Sequence, residues 1–364
     1  MGVEKLLILC ENIDYMIDFK LKNKWDVPSQ SLPIIFIGAG GIIRNAHIPA
    51  YNKLNLNISG VYDLNPETAK TLAKDFNISN VYSNLDDALN NKNVVFDIAV
   101  PADQLLPIVQ KLPLNSYALL QKPMGSNIQE AEKILKVCRE RNITAALNFQ
   151  LRFSPMMLCL RDAIDKNLLG KIVDIEFHYS YYLPWHLWPF LEEIDRVEIP
   201  YNSIHLFDLI RSLFGMPEGV FAYSNTHPKY PNLSDTKTTA ILKYRKDLRC
   251  ALSLNHCYQF GDKNQNANLK VEGTDGVAFI TLGSTVNYPH FEKDKFEIKT
   301  KDSDWKEIEL GGNWFPEAFE GTMSNLQRYI FKEDETLETS VEDTINTMRL
   351  IDALMKSQEN FFKL

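Results

Sequence analysis

Between Pro33 and about residue 150, the chain alternates short apolar runs with stretches of helical periodicity, and this alternation limits the possible folds more than any other feature. The apolar runs cover residues 34–37, 58–62, 94–100, 117–120 and 145–147, and the helical stretches cover residues 67–76, 103–111 and 128–141. Almost continuously apolar runs are typical of strands covered on both faces. Strands that alternate with helices form parallel sheets with right-handed crossovers. The pattern therefore predicts an α/β domain.

After about residue 150 the pattern changes. Ser154-Pro155 opens a predicted helix that Gly170 ends. Strand-like runs follow at residues 172–182, 219–224, 238–244, 249–255, 277–282 and 296–299, and helical stretches follow at 316–331 and 340–358. The runs alternate apolar and polar residues, as in an antiparallel sheet with one buried face. We expect a second, α+β domain with a large, mostly antiparallel sheet.

Residues 1–32 precede the alternating pattern and form an N-terminal extension. A helix is predicted over residues 3–19, and the following residues up to Gln30 are typical of a loop. The extension either caps the next domain or serves a partner, and capping is the favoured interpretation. The predicted divisions are thus the extension at 1–32, a first domain at 33–150 and a second domain at 151–364.

The charge balance excludes some classes of partner. The 364 residues include 39 Lys and Arg against 47 Asp and Glu, a net charge of −8. Surfaces that bind nucleic acid or anionic membranes need clustered basic residues, and no apolar run approaches the length of a membrane span. The five cysteines form no C-x-x-C pair, and the scattered histidines show no spacing typical of a metal site. We expect a cytoplasmic protein without a metal, a nucleic-acid partner or a membrane partner.

The first apolar run leads directly into Gly38-Ala39-Gly40-Gly41-Ile42, after which a helix begins. Gly38 permits a tight turn, and Gly40 allows the backbone to approach a pyrophosphate. The helix would direct free N–H groups and its positive end at the phosphates. Ile43 occupies the third position of the G-x-G-x-x-G/A pattern, so the helix is expected to be slightly displaced. We therefore predict a Rossmann dinucleotide-binding domain with Gly38, Gly40, Gly41 and Ile42 at the cofactor.

Asp63 ends the second apolar run, 25 residues after Gly38. An acidic residue at about this distance binds the adenosine ribose diol in such domains. Its charge would repel a 2′-phosphate, which favours NAD over NADP. The alternative is that Asp63 only caps the next helix.

Four ordered motifs make the chain similar to the glucose–fructose oxidoreductase / inositol dehydrogenase (Gfo/Idh/MocA) family over about residues 33–360. They are the glycine-rich stretch from Gly38 to Tyr51, Gln121-Lys122-Pro123, Asn148-Phe149-Gln150-Leu151-Arg152-Phe153-Ser154-Pro155 and Ser203-Ile204-His205-Leu206-Phe207-Asp208. The resemblance implies an NAD-dependent oxidoreductase that transfers hydride between a secondary alcohol of a sugar, cyclitol or related polyol and nicotinamide. It also implies that the open face of the second sheet pairs subunits into homodimers or homotetramers.

The resemblance implies roles for particular residues. Lys122 follows an apolar strand, so it should lie at the carboxyl end of the sheet with a lowered pKa suited to proton transfer. By resemblance it bridges cofactor and substrate, and His205 is the general acid/base, with Asp208 placed at i+3 to orient it. The further cofactor-binding candidates are Pro101, Gln121, Asn148 and Arg152. Arg152 is also a candidate for binding the substrate.

Two features separate this chain from the family pattern or add to it. Tyr201 stands where the family often has Asp, four residues before the histidine, and it is a candidate to replace that group. Trp185 and His186 belong to an aromatic stretch that suits a sugar ring, although a packed loop or a dimer contact would explain it equally well. An NAD-dependent hydrolase or epimerase that uses transient oxidation, a chemistry found in related families, is one alternative. A non-catalytic sugar or NAD(H) sensor is the other, because Tyr201 replaces the Asp and Ala102 replaces the asparagine that follows Thr-Pro in the family.

Overall fold

The computed structural model describes residues 19–358. The helix predicted over residues 3–19 lies, except for Phe19, outside the described residues. Within them, no helix is long and apolar enough to cross a bilayer.

The first domain is built on a parallel sheet, as the alternating pattern predicted. Its elements are β1 (Ile34–Ile37), α1 (Ile48–Lys53), β2 (Ile58–Tyr62), α2 (Pro66–Phe76), β3 (Asn80–Val81), α3 (Leu85–Leu89), β4 (Val95–Ile98), α4 (Ala102–Lys111), β5 (Tyr117–Leu120), α5 (Ile128–Glu140) and β6 (Thr144–Leu147). In the described part of the chain, the sheet has six strands in the order β3-β2-β1-β4-β5-β6. The strand order reverses between β1 and β4, and ligands of open α/β sheets bind outside the carboxyl ends at such a point.

The helix that follows the glycine-rich turn is irregular. Residues Ile43–His47 form a π-helical turn, and α1 continues from Ile48 with Pro49 in its first turn. A proline is tolerated in the first turn of a helix because its missing N–H would have no intrahelical partner there. The unusual Pro49 is thus accommodated by the start of a new helical segment. Ile43 is fully buried in the wider turn.

The second domain contains the predicted antiparallel sheet. Its elements are α6 (Pro155–Asp165), β7 (Ile172–Ser180), α7 (Ile204–Phe214), β8 (Gly219–Asn225), β9 (Lys237–Lys243), β10 (Arg249–Asn255), β11 (Asn266–Gly273), β12 (Gly276–Thr281), β13 (Lys295–Thr300), β14 (Lys306–Glu307), α8 (Glu317–Ile330) and α9 (Val341–Ser357). The order in the described residues is β14-β13-β12-β11-β7-β10-β9-β8. Strands β7 and β10 pair in parallel, and the other neighbouring strands pair antiparallel.

The two faces of this second sheet differ in exposure. One face is buried and contributes Phe177, Leu252 and Leu269 to the core, with α6, α7 and α9 packed on that side. On the opposite face, Phe221 and Ile241 lie side by side in the register of β8 and β9 and are exposed. The single-face burial expected from the alternating pattern is therefore present.

Helix α8 returns to the first domain. Phe319, Met323 and Leu326 are buried in one cluster with Ile34 and Phe36 of β1. The helix therefore forms part of the wall of the first domain although it lies late in the chain.

The described part of the extension runs along later elements of the chain. The Lys22 backbone N–H donates to Asp162 at 2.8 Å, and the Trp25 indole donates to Asp334 at 3.0 Å. The Leu32 backbone N–H donates to the side chain of Gln327 in α8 at 2.9 Å. These contacts fasten the segment to α6, α8 and the turn after α8, and Leu32 packs against the apolar cluster that contains β1.

Candidate active site

The glycine-rich turn at the end of β1 has the shape that a dinucleotide requires. Gly38 has φ +105°, and a Cβ there would collide with the carbonyl oxygen of Ala99. A Cβ on Gly40 would meet no atom within 4 Å among the described residues, so the backbone is open to a ligand on that side. Gly41 is exposed, and Ile42 is half-buried at the start of the helix. The turn therefore fits a pyrophosphate.

Asp63 lies at the end of β2 and holds the turn in place. Its Oδ2 accepts the backbone N–H of Ala39 at 2.8 Å, and its Oδ1 accepts that of Asn65 at 2.8 Å. The cap of α2 is Asn65, whose side chain accepts the N–H of Glu67. Capping by Asp63 is therefore not its role, and the partly exposed carboxylate stands beside the turn where a ribose would lie.

Two other cofactor candidates lie at the carboxyl ends of β4 and β5. Pro101 is exposed immediately before α4. Gln121 is half-buried, and its side-chain oxygen accepts the N–H of Lys122 at 2.9 Å. Both positions face the edge of the sheet that carries Gly38 and Asp63.

Lys122 is placed where its position after β5 predicted. Its Nζ donates to the backbone carbonyl oxygen of Tyr201 at 2.6 Å, which joins the two domains at this point. Burial lowers the pKa of Lys122 to about 8. A lysine with this pKa gains and loses a proton near physiological pH, which suits proton transfer.

His205 lies in the first turn of α7 and is 6% exposed. Its ring meets the rings of Phe149 and Trp314 edge-on, with centroids 6.0 and 5.9 Å away. Burial and then the nearby charge of Lys122 hold its pKa well below the usual range, so the imidazole is neutral near pH 7. Its Nδ1 is buried without a hydrogen-bond partner among residues 19–358.

Tyr201 precedes His205 on a π-helical turn, Glu198–Asn202. Burial raises the pKa of its hydroxyl, and the charges of Asp103 and Glu130 raise it further. The hydroxyl therefore stays protonated and able to donate, while the backbone of the same residue holds Lys122.

Asp208 does not orient His205 as its i+3 spacing had led us to expect. Its carboxylate accepts two hydrogen bonds from Arg152, each at 2.6 Å, and a third from Thr347 at 2.6 Å. Arg152 also donates to Asp343 at 2.8 Å. The guanidinium and the carboxylate are buried against each other, and with Asp343 and Thr347 they join the turn after β6, α7 and α9. A contact of Arg152 or Asp208 with cofactor or substrate stays a prediction.

The Asn148 side chain is also committed to the interior. Its Nδ2 lies 3.1 Å from Nε2 of His47, and its Oδ1 accepts the hydroxyl of Thr322 at 3.1 Å. His47 in turn lies 2.7 Å from Asp97 of β4. This buried polar network links α8 to the helix after the glycine-rich turn, and a contact of Asn148 with the cofactor stays a prediction.

The aromatic stretch divides into a packed part and an exposed part. Trp185 is 4% exposed, and its indole donates to Sγ of Cys257 at 3.3 Å. It belongs to a small apolar cluster with Leu191 and Leu233. The packed-loop interpretation therefore holds for Trp185, whereas His186 is exposed.

Sequence reasoning missed two groups near the site. Glu198 is fully buried, lies 2.9 Å from Nδ1 of His256 and accepts the hydroxyl of Ser203 at 2.5 Å. Trp314 packs on His205 from the loop before α8. Nothing in the sequence marks Glu198, whereas the Gly-Gly-Asn-Trp stretch before a predicted helix was a usable signal for Trp314. Among residues 19–358, no three His, Cys, Asp or Glu side chains are grouped as metal ligands would be.

Comparisons with known proteins agree with this arrangement. The profile described as "Oxidoreductase family, NAD-binding Rossmann fold" matches residues 32–149, and "Oxidoreductase family, C-terminal alpha/beta domain" matches residues 161–361. Glucose-6-phosphate 3-dehydrogenase of Bacillus subtilis is 27% identical over 203 residues, 53% of this chain and 57% of that protein. The matched segments thus span about half the length of such curated relatives.

Solved structures share the fold at lower identity. A levoglucosan dehydrogenase in complex with NADH and levoglucosan superimposes with a TM-score of 0.76 at 17% identity, covering 91% of this chain and 98% of that one. An oxidoreductase from Agrobacterium radiobacter in complex with NAD+, L-tartaric acid and magnesium superimposes with a TM-score of 0.77 at 18% identity, covering 91% and 97%. Since the two family profiles match most of the chain, this protein belongs to the Gfo/Idh/MocA oxidoreductase family, with an NAD-binding Rossmann domain followed by the family's C-terminal α/β domain.

Proposed function

We propose that this protein is an NAD-dependent dehydrogenase that oxidises a secondary alcohol of a sugar, cyclitol or related polyol. One observation carries the proposal: Lys122 at the end of β5 and His205 at the start of α7 come from different domains and lie close together. The amine of Lys122 donates to the carbonyl of Tyr201, four residues before His205, and its charge lowers the pKa of His205. Two groups that exchange protons therefore meet at the edge of the sheet where the cofactor turn lies.

The residues of the chain divide the chemistry between them. Bound NAD supplies the ring that takes the hydride. Neutral Lys122 accepts the proton of the substrate hydroxyl, either directly or through the neutral imidazole of His205. The carbonyl of Tyr201 holds the lysine in place, and the Tyr201 hydroxyl is available to donate to the substrate. Phe149 and Trp314 enclose His205 and exclude water from it.

The choice of NAD over NADP rests on Asp63. Its carboxylate lies beside the glycine-rich turn and would face the adenosine ribose. A negative charge at that place favours two ribose hydroxyls and repels a 2′-phosphate. The names of two similar proteins, a glucose-6-phosphate 3-dehydrogenase and a levoglucosan dehydrogenase, support a sugar or polyol as the substrate.

The test is a panel of polyols and aldoses with NAD+ and NADP+, monitored by absorbance of the reduced cofactor. D-Glucose, glucose 6-phosphate, levoglucosan and myo-inositol are suitable members. We expect at least one polyol or aldose of the panel to be oxidised, with faster reduction of NAD+ than of NADP+. A panel in which no compound reduces either cofactor would reject the proposal. Product formation without net NADH would instead indicate an epimerase or hydrolase, and binding without reaction would indicate a sensor.

Two further proposals concern assembly and location. The face of the second sheet that carries Ile241, a side chain 52% exposed, is proposed to pair subunits into homodimers or homotetramers. The cytoplasm is the proposed compartment, because Cys138 and Cys159 are buried free thiols.

A further inference from the structure

Trp314 is fixed beside His205 by the loop that precedes α8. Its backbone N–H donates to the Asp294 carboxylate, which also accepts the N–H of Ser284 at 2.8 Å. The indole ring then meets the imidazole of His205 edge-on at 5.9 Å. The position of the indole is therefore set by the backbone and does not depend on contacts of its own nitrogen.

The indole N–H is buried without a partner among residues 19–358. Trp314 is 8% exposed. Buried donors in folded proteins almost always have an acceptor, so each exception needs an explanation. Here the indole that carries the unpartnered donor is in edge-on contact with the imidazole that carries the unpartnered Nδ1, with ring centroids 5.9 Å apart.

Tyr179 supplies a third such atom. It lies on the buried face of β7, and its hydroxyl also has no partner among the described residues. The Tyr179 ring meets the ring of His256 edge-on, with centroids 6.2 Å apart. His256 lies 2.9 Å from Glu198, which accepts the hydroxyl of Ser203 directly before α7. Tyr179 is thus connected through side-chain contacts to the start of the helix that carries His205.

We propose that Trp314 is a substrate-binding residue that determines specificity, with its indole N–H donating to a hydroxyl oxygen other than the one that reacts at His205. The Tyr179 hydroxyl is the second group of this subsite. The inference rests on the proposed function, since it deepens the same site. A polyol suits the subsite because it offers several oxygen acceptors, while its C–H groups can pack on the indole ring. A site built to hydrogen-bond a hydroxyl strongly rejects an analogue that lacks it.

Binding is tested on the NADH complex with ¹⁵N-labelled tryptophan, titrated separately with levoglucosan, glucose 6-phosphate and myo-inositol. The chain has five tryptophans, so the Trp314 resonance is assigned from its loss in Trp314→Phe. We expect this resonance to shift in a saturable way with at least one probe. In Trp314→Phe the Kd for that probe should rise about tenfold or more, as expected for loss of a hydrogen bond in a buried site. Trp305→Phe is the matched control, since Trp305 is half exposed, and its Kd should equal that of the unmodified protein.

Several results would overturn the assignment: an unchanged Kd in Trp314→Phe, other resonances responding while that of Trp314 does not, or no response to any probe. The panel assay keeps the two proposals apart. Turnover of a polyol whose binding leaves the Trp314 resonance unmoved would preserve the dehydrogenase and reject the subsite. A shift of the Trp314 resonance by a polyol that gives no NADH in the assay would preserve the subsite and reject the dehydrogenase.

Tyr179→Phe guards against an effect on folding. Because its hydroxyl has no partner within residues 19–358, removing it should not lower the melting temperature. The Kd for the same probe should nevertheless rise several-fold. A lowered melting temperature with an unchanged Kd would show that Tyr179 has a structural role and would remove it from the subsite.

Discussion

At the scale of single residues, the site depends on two side chains whose protonation is set by burial. Lys122 has a pKa lowered to about 8, and the pKa of His205 lies well below its usual range. Each is therefore able to accept a proton near neutral pH, although an exposed lysine could not. Local desolvation, rather than the identity of the residues alone, makes the pair suitable for alcohol oxidation.

The pH dependence of oxidation should report Lys122. Because the neutral amine accepts the proton, kcat/KM is expected to rise as the pH increases through about 8 and to level off above it, whereas reduction of the ketone should fall over the same range. In Lys122→Met the rise of kcat/KM with pH should disappear, and the rate of oxidation should fall by about 10²–10⁴-fold. The affinity for NAD should stay largely unchanged. Steady-state kinetics from pH 6 to 10 and fluorescence titration of NADH make the comparison. Unaltered kinetics in the variant would remove Lys122 from the chemistry.

Cofactor preference should report Asp63. Asp63→Ala is expected to weaken NAD by about 10–100-fold, since a hydrogen bond to a charged group contributes about 1.5–3 kcal/mol. The lost bond to Ala39 affects both cofactors, so the NAD-to-NADP ratio of Kd values is the relevant measurement. Asn65→Ala, which uncaps α2, is the control and should leave the ratio unchanged. A constant ratio in Asp63→Ala would contradict the ribose contact.

At the scale of elements, buried ion pairs hold the helices behind the site. Arg152 follows β6, Asp208 belongs to α7 and Asp343 belongs to α9, and the three side chains are hydrogen-bonded together. Arg211 also donates to Asp343, at 3.0 Å through Nη1. This network fixes the direction of α7, and therefore the place of His205.

Removal of Arg152 should destabilise the protein. In Arg152→Met the buried Asp208 carboxylate loses both hydrogen bonds of its guanidinium partner and keeps the Thr347 hydroxyl and Arg211 at 3.6 Å, and removal of one partner of a buried ion pair costs about 3–5 kcal/mol. The unfolding free energy from urea titration should fall by about 3 kcal/mol. Lys53→Met, which breaks a surface pair with Glu317 and Glu320, should change it by less than about 1 kcal/mol. Equal losses in the two variants would refute the structural role of Arg152.

The sequence predicted most elements because their patterns are local. Strands β1, β2, β5 and β10 begin and end where expected. Strand β11 was missed because Asn266, Asn268 and Lys270 alternate with its apolar residues and leave only a short periodic signal. The roles of Asp208 and Asn148 could not be read from spacing, since their partners are 56 and 101 residues away in the chain. Long-range pairing, unlike periodicity, is decided by the folded structure.

At the scale of the whole molecule, the second sheet has one face packed in the core and an opposite face that carries the exposed Ile241. Phe221 pairs with Ile241 in the register of β8 and β9, and Ala251 follows on β10. Ile241 is 52% exposed. Apolar side chains in adjacent register are typical of a surface that a partner covers.

Ile241→Glu should shift the protein toward the monomer, because it places a charge in that apolar row. Sedimentation velocity at micromolar concentration would measure the change. Leu114→Glu, at an exposed position in the first domain, is the control and should keep the oligomeric mass. If Ile241→Glu leaves the sedimenting mass unaltered, the proposed pairing of subunits through this face is wrong.

The return of α8 bears on how the protein can be divided. Phe319, Met323 and Leu326 of α8 are buried in the same apolar cluster as Ile34 and Phe36 of β1. A fragment ending at residue 150 would leave Ile34 and Phe36 facing water on that side, and each large apolar side chain so uncovered weakens folding by about 1.5–3 kcal/mol. We therefore expect a fragment that ends at residue 150 to be less stable than the same residues in the full chain, although the nucleotide-binding domain is contiguous in sequence.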